Sequence, residues 1–198
     1  MVEEAAAVDD RRCRLLVRLR DTPSATLGDA LAALRAADRL AGLIAPPTPG
    51  VGELAGRLGV ALLAADGDAG ADGAVLDARD TTVDVVLDRR RGDPEAILVA
   101  DVATSRHAAM EAGEAGADAL LFSGEAAAVR DCVAWWSELF VLPVAAPAAD
   151  GCPYEELIRA GADFLVVDAD ALGEGAEPVA RLLDRLTAAE AARPDTPA

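Results

Sequence analysis

Short apolar runs alternate with segments of helical periodicity along most of this chain, and this alternation constrains the fold more than any other feature. The eight runs are CRLLVRL, AGLIA, VALLAA, GAVLD, AILVAD, ALLFS, LPVAA and FLVVD. Continuous apolar strands indicate a parallel sheet that is covered on both faces. Eight strand-helix units predict a compact (β/α)8 TIM barrel, with a doubly wound open sheet of fewer strands as the alternative. The short GDAGAD link between the third and fourth runs predicts a reduced third helix.

The tetrapeptide AGAD occurs three times, each time directly before an apolar run. The copies are residues 69–72, 115–118 and 160–163, and their spacing of about 45 residues is typical of a repeated supersecondary unit. In EAGEAGADALLF and ELIRAGADFLVV, a glycine can supply the left-handed residue that closes a helix, and the next strand follows at once. AGAD is therefore predicted to join helix to strand at the N-terminal face of the barrel, where sequence constraint reflects stability.

Composition and charge restrict the partners. The 198 residues are 53% apolar, which predicts one domain over residues 12–190 between an acidic tail (1–11) and a C-terminal tail (191–198). The net charge of −17 and the absence of lysine argue against nucleic acid and anionic membranes as partners. The chain shows no signal peptide or membrane-spanning run, and its three cysteines lack metal-ligand spacing. We therefore expect a cytoplasmic protein with reduced thiols.

Residues that follow the predicted strands would meet at the C-terminal mouth of the barrel, where (β/α)8 enzymes carry their chemistry. Most of them are acidic, and clustered carboxylates can hold Mg²⁺, which in turn can bridge to a phosphate. The alternative is that these residues only cap the helices that follow. The predicted ligand-binding residues are Arg18, Arg20, Asp101, Ser123, Gly124, Asp150 and Asp168.

No catalytic residue can be assigned from the sequence. His107 is the only histidine, and no serine or cysteine stands beside it in a nucleophile-base arrangement, so we interpret it as an exposed helix residue. The absence of lysine also excludes Schiff-base chemistry, which weakens an aldolase-type interpretation of the barrel.

Three stretches carry a resemblance to a known family over roughly residues 13 to 172. They are VALLAADGDAGADGAVLDARD, ILVADVATSRHAAMEAGEAGADALLFSG and LPVAAPAADGCPYEELIRAGADFLVVDADAL. Their order resembles the thiamine-phosphate synthase and TenI-like family of (β/α)8 barrels. The resemblance implies a link to thiamine biosynthesis, a phosphorylated small-molecule ligand and Mg²⁺. It also implies two metal ligands, because Asp80 falls on the carboxylate that binds Mg²⁺ in the synthases and Asp66 lies near the family's other acidic metal position.

Several family motifs are missing. The Gln-x-Arg-x-Lys cluster of the second strand is replaced by AGLIAPPTP, and the glycine-rich turn after the seventh strand by AAPAAD, in which Pro147 lacks an N–H donor. FSGEAA stands where the family has threonine and lysine, or the histidine of the tautomerases. We therefore hypothesise a divergent member that lacks standard synthase activity. The alternatives are a non-catalytic binding or interaction protein that uses the helix of Trp135, including as a homodimer, and another phosphate-handling barrel.

Overall fold

The computed structural model describes residues 12–20, 23–65, 70–79, 82–148, 153–173 and 176–193. Within them the strands are β1 (Arg14–Arg18), β2 (Leu40–Ile44), β3 (Ala61–Ala65), β4 (Gly73–Asp77), β5 (Ile97–Ala103), β6 (Ala119–Phe122), β7 (Val144–Pro147) and β8 (Phe164–Asp168). The α-helices are α1 (Ala25–Ala36), α2 (Pro49–Leu58), α3 (Thr82–Gly92), α4 (Arg106–Glu114), α5 (Ala126–Leu139), α6 (Tyr154–Ala160) and α7 (Ala176–Ala191). A 3-10 helix, Ala169–Leu172, follows β8.

The eight parallel strands close into a barrel in chain order, so the predicted (β/α)8 fold is confirmed and the open sheet is excluded. Closure is visible at β1, where Leu16 pairs with Gly42 of β2 on one side and with Val166 of β8 on the other. Between β3 and β4, residues 70–72 form no helix, and the rest of this link lies outside the described residues. A full third helix is therefore absent from the described part of the link, as the short spacing predicts.

Two apolar layers hold the barrel together, because successive side chains of a strand point to opposite faces. The lumen is filled by a small cluster that includes Leu16, Leu63, Val99, Leu121 and Val166. The alternate residues of the same strands pack outwards against the helices in a much larger cluster. The alternation therefore shows which residue at the end of each strand faces the lumen.

The second and third AGAD copies join a helix to a strand, as the sequence predicts, and the described residues of the first copy lead directly into β4. Gly116 follows the last turn of α4 with φ 95°, and Gly161 ends α6 with φ 106° in the left-handed region. The aspartate of each joint then bonds back to the preceding odd-numbered strand: at the middle joint, Asp118 Oδ2 accepts the N–H of Leu98 at 2.8 Å. The repeated motif is therefore part of the architecture at the N-terminal face.

A buried ion pair ties the first strand to the last helix at the same face. Arg39 is 6% exposed, and its guanidinium forms a two-point salt bridge with Glu190 of α7, with Nη2 2.7 Å from Oε2. Arg39 also donates to the carbonyl oxygen of Cys13 at 3.0 Å, and Glu190 Oε1 accepts the N–H of Cys13 at 2.7 Å. We call this group the Arg39–Glu190 clasp.

Two predictions about the ends of the chain meet the structure only in part. The N-terminal tail (1–11) and residues 194–198 lie outside the described residues, and α7 continues to Ala191, so the domain limits remain a prediction. Across the described ranges, no helix is both long enough and apolar enough to cross a membrane.

Candidate functional site

A polar layer lies above the apolar lumen at the C-terminal end of the barrel. Each of its members is two residues beyond an apolar lumen residue of the same strand, or continues that alternation just past the strand end. The layer consists of Arg18, Asp77, Asp101, Ser123 and Asp168. Four of these five were predicted ligand-binding residues, so the strand ends bring them to one mouth as the sequence indicates.

One half of this mouth is a hydrogen-bonded cluster around Asp101, whose side chain is only 14% exposed. Arg79 Nη2 donates to Asp101 Oδ2 at 2.7 Å, and the Ser123 hydroxyl donates to Oδ1 at 2.6 Å. Arg79 Nη2 also lies 3.4 Å from Ser123 Oγ, and its Nε lies 3.6 Å from Asp77 Oδ1. We call these residues the Arg79 cluster.

Local backbone geometry fixes Asp101 in this position. The pairing of β5 with β6 shifts between Asp101 and Ala103, and Ala103 has φ 50°, which is unusual for a residue with a side chain. The irregularity lets the N–H of Ala103 donate to Asp101 Oδ1 at 3.1 Å. Both oxygens of Asp101 therefore already accept hydrogen bonds from the protein.

The other half of the mouth is formed by β1, β8 and the start of α1. Asp168 lies between two arginines, with Oδ1 3.6 Å from Arg18 Nη1 and Oδ2 3.8 Å from Arg20 Nη2. These residues line a pocket of about 220 Å³ together with Ser24 and Asp170. We call it the β8–β1 pocket.

Gly124 and Glu125 connect β6 to α5 in a way that occupies the helix N-terminus. Gly124 has φ 136°, a conformation that strongly favours glycine. The turn carries Glu125 onto the end of α5, where its carboxylate accepts the N–H groups of Ala127 and Ala128, both at 3.1 Å. These hydrogen bonds lower the pKa of Glu125. A phosphate could therefore reach these N–H groups only by displacing Glu125, which caps α5. The ligand-binding role of Gly124 stays a prediction.

Three of the predicted site residues are not described by the structure. Asp66 and Asp80, the proposed metal ligands, and Asp150 lie outside the described residues. Among the residues that are described, no group of three or more His, Cys, Asp or Glu side chains could hold a metal ion. His107 is 80% exposed and lies 3.3 Å from Glu111, in agreement with its interpretation as a helix-surface residue.

The sequence interpretation missed Arg79. It singles out Asp80 in the segment LDARD and passes over the arginine directly before it. The signal was its position, two residues past the end of β4, at the same mouth as the carboxylates. The expectation of a densely acidic rim also needs correction, because Arg18, Arg20 and Arg79 lie within 4.0 Å of carboxylates there.

Comparison with known proteins gives three informative matches. A thiamine-phosphate synthase from Erythrobacter litoralis (strain HTCC2594) is 43% identical over 77 residues, covering 32% of this chain and 35% of that protein. A second, from Rhodospirillum centenum (strain ATCC 51521 / SW), is 33% identical over 108 residues, covering 48% and 51%. The solved thiamine phosphate pyrophosphorylase from Pyrococcus furiosus superposes with a TM-score of 0.64 at 18% identity, covering 92% of this chain and 98% of that one. No protein-family model matches the chain.

These matches confirm the resemblance to the thiamine-phosphate synthase and TenI-like family. The chain covers only about a third to a half of the length of the curated relatives. Solved structures with other names superpose equally well, at TM-scores of 0.62 to 0.65 and 13–17% identity. The structural likeness therefore shows the fold alone, and the link to the synthases comes from sequence.

Proposed function

Since this chain is a relative of the thiamine-phosphate synthases, we propose that it is linked to thiamine biosynthesis and binds a phosphorylated small molecule at its C-terminal mouth. The observation that carries the proposal is the presence of Arg18, Arg20 and Arg79 at that mouth. Guanidinium groups suit phosphate because their planar N–H donors can contact two oxygens at once. Arginine would thus replace the lysine that the chain lacks throughout.

We further propose that the protein lacks standard synthase activity. Pro147 ends β7 and has no N–H to offer to a phosphate, and Glu125 already occupies the N-terminus of α5. Phosphoryl and pyrophosphate chemistry depends on positioning and charge neutralisation, so the loss of these donors removes part of what the reaction needs. Magnesium-dependent formation of thiamine phosphate from the synthase substrates by the purified protein would overturn this part.

The metal component rests on Asp66 and Asp80. Among the described carboxylates, Asp101 accepts hydrogen bonds from Arg79, Ser123 and Ala103, which leaves it poorly suited to a cation. Asp77 also faces Arg79, at 3.6 Å. The described side chains therefore favour an anion over a cation. If Mg²⁺ binds, we expect Asp66 and Asp80 to hold it, and its role would be to neutralise phosphate charge.

Isothermal titration of metal-stripped protein tests the proposal directly. The titrants are Mg²⁺ alone and then thiamine phosphate or pyrophosphate, each with and without Mg²⁺. Heat from a phosphorylated titrant supports a ligand site at the mouth, whereas the absence of binding by every titrant would overturn it. Asp80→Asn is expected to weaken Mg²⁺ binding without unfolding the barrel. Asp184→Asn on α7 makes the same charge change far from the mouth and is the matched control.

A specific surface favours the alternative function, an interaction protein. The end of α5 exposes Leu139 at 63% and Val141 completely. Trp135, one turn before Leu139, is half-buried beneath the Arg106 guanidinium, which lies 4.8 Å from its ring centre. A homodimer or complex that Trp135→Ala disrupts would support this alternative. Val141→Asp is the cleaner variant, because Trp135 also packs on Trp136 and Phe140.

A further inference from the structure

The sequence VRLRD at the end of β1 places two arginines on the same side of the chain. Arg18 is the last residue of the strand and continues the lumen-facing alternation after Leu16. Leu19 is 3% exposed and packs in the outer apolar cluster, which anchors the segment between the two arginines. Arg20 is the next residue on the mouth side, and both guanidinium groups border the β8–β1 pocket.

Neither guanidinium donates a hydrogen bond to any residue that the structure describes. The separations of 3.6 Å and 3.8 Å from Asp168 permit electrostatic attraction but are too long for hydrogen bonds. No described residue accepts a hydrogen bond from Arg18 or Arg20, whereas Arg79 across the mouth donates to Asp101 at 2.7 Å. The two arginines of the β8–β1 pocket are therefore available to an acceptor that the described protein does not supply.

Within the described chain, Asp168, which lies between the two arginines, lacks a hydrogen-bond donor for one of its carboxylate oxygens. Its Oδ1 atom is buried and has no hydrogen-bond partner among the described residues. A buried carboxylate oxygen without a hydrogen-bond donor is costly, because it has lost its hydrogen bonds to water and has gained none in exchange. Within the described residues, the pocket therefore places two arginines whose N–H groups donate no hydrogen bond next to an Asp168 oxygen that accepts none.

The size and surroundings of the pocket restrict what can enter. At about 220 Å³ it is smaller than the roughly 300–1,000 Å³ of a site that encloses a whole drug-sized ligand. It suits one polar group and its neighbouring atoms. The α5 N-terminus, an otherwise attractive anion site, is filled by Glu125, so the β8–β1 side is the less obstructed place for an anion.

We propose that the β8–β1 pocket is the anion subsite of the mouth, in which Arg18 and Arg20 bind a phosphate or pyrophosphate group and Asp168 accepts a hydrogen bond from a hydroxyl or amino group of the same ligand. The inference rests on the proposed function, since it assigns a place to the phosphate of that ligand. The inference goes beyond the proposed function in two ways. It predicts which residues bind the phosphate, and it requires the ligand to carry a hydrogen-bond donor close to that phosphate.

The test compares three forms of the full-length protein by isothermal titration with inorganic pyrophosphate, thiamine phosphate and unphosphorylated thiamine. They are wild type, Arg18→Gln/Arg20→Gln, and the control Arg57→Gln/Arg181→Gln, which removes the same charge from the outer helices α2 and α7. We expect the pocket variant to bind pyrophosphate and thiamine phosphate at least about tenfold more weakly than the control, because two charge-assisted contacts are lost. The single variant Arg20→Gln controls for misfolding, because the Arg20 side chain is 73% exposed and its replacement should leave the fold intact. This variant alone should also lower the affinity for pyrophosphate and thiamine phosphate.

Each outcome separates the inference from the proposed function. If thiamine phosphate binds wild type and the pocket variant equally well, the subsite assignment is wrong and the proposed function stands. If only pyrophosphate binds, and the pocket variant loses it, the subsite stands and the proposed link to thiamine biosynthesis loses its support. Asp168→Asn tests the donor requirement by titration with pyrophosphate and with glycerol 3-phosphate, which carries hydroxyl groups close to its phosphate. The variant should strengthen pyrophosphate binding by removing a negative charge and strengthen glycerol 3-phosphate binding less. An equal gain for both ligands would overturn the role of Asp168.

Discussion

Asp163 and Val144 are joined by two hydrogen bonds across the N-terminal end of the barrel. The N–H of Asp163 donates to the Val144 carbonyl, and Asp163 Oδ2 accepts the N–H of Val144, both at 2.9 Å. Asp118 makes the same pair of bonds with Leu98, and Asp72 makes it with Leu62, all at 2.8 Å. The aspartate of each AGAD copy thus pairs with a backbone N–H and a carbonyl oxygen at the start of β3, β5 or β7.

The first prediction concerns the carboxylate of Asp163. Asp163→Ala leaves the buried N–H of Val144 without its acceptor and should lower the free energy of unfolding by about 1–3 kcal/mol. Asp163→Asn keeps an oxygen in place and removes a partly buried charge, so it should be at least as stable as wild type at pH 7. Urea unfolding of both variants measures this. Equal destabilisation by Ala and Asn would show that the charge matters and the hydrogen bond alone does not.

The same residue makes stability depend on pH. Burial is the main cause that raises the pKa of Asp163, partly offset by the hydrogen bond from Val144. The folded protein therefore holds this proton more tightly than the unfolded chain. Its contribution to stability is fully present below the unfolded-state pKa and is lost as pH rises through the folded-state pKa. The stability of Asp163→Asn relative to wild type should accordingly increase from acid to neutral pH, and a constant difference would contradict the assignment.

The strands and the helix-ending glycines of the AGAD joints could be predicted because both depend on residues that are close together in the sequence. Each apolar run forms a strand. Gly161 ends α6 through its left-handed conformation, which depends only on the preceding helical turn and not on distant parts of the chain. The second half of the joint could not be predicted. Asp163 closes on Val144, 19 positions earlier in the chain, and only the register of two strands brings them together.

The second prediction tests the Arg39–Glu190 clasp. Glu190→Gln leaves the Arg39 guanidinium buried without its counter-ion, and removing one partner of a buried pair costs about 3–5 kcal/mol. Arg181→Gln is the control, because it breaks an exposed pair with Glu177 on the same helix and should change stability by less than about 0.5 kcal/mol. Urea midpoints measure both variants. Similar midpoints for the two would mean that the clasp contributes no more than a surface pair.

The third prediction concerns Cys13, whose N–H and carbonyl are held by the clasp. Burial and the nearby Glu190 raise the pKa of its thiol to about 12, and its side chain is fully buried. The thiol should therefore remain protonated and unreactive with iodoacetamide at pH 8, and become reactive when the protein is unfolded in urea. Mass spectrometry of the peptide that contains Cys13 distinguishes it from the other cysteines. Rapid alkylation of Cys13 in the native protein would show that the clasp opens.

The fourth prediction concerns Gly73 at the start of β4. A Cβ atom there would lie 2.1 Å from the carbonyl oxygen of Ile97 on the neighbouring strand, a contact with backbone that cannot move aside easily. Gly73→Ala should destabilise the barrel by about 1–3 kcal/mol or more. Gly52→Ala in α2 has no neighbour within 4 Å and should stabilise by about 0.5–1 kcal/mol. Thermal unfolding of the pair measures both signs, and a stable Gly73→Ala would show that β4 and β5 can separate.

The sequence predicts which strand ends form the mouth, but it does not predict how the side chains there pair with one another. The alternation of each strand indicates that Asp101, Ser123 and Asp168 meet there, because the ends of parallel strands share one edge. It does not indicate pairing. Asp101 is 22 residues from Arg79, and Asp168 is about 150 residues from Arg18, so the neutralisation of these carboxylates emerges only when the barrel closes. This is why a rim that looks acidic in sequence carries guanidinium groups beside its carboxylates.

The Arg39–Glu190 clasp also sets where the two ends of the barrel emerge. Cys13 precedes the first strand and Glu190 lies in the last turns of the last helix, yet they are within hydrogen-bonding distance of each other on the face opposite the mouth. A short peptide linker could therefore join the two ends in a circularly permuted chain that opens at another exposed loop. For the same reason, chain that leads into the barrel before Cys13 or leaves it after Glu190 starts on the far side of the barrel from the mouth.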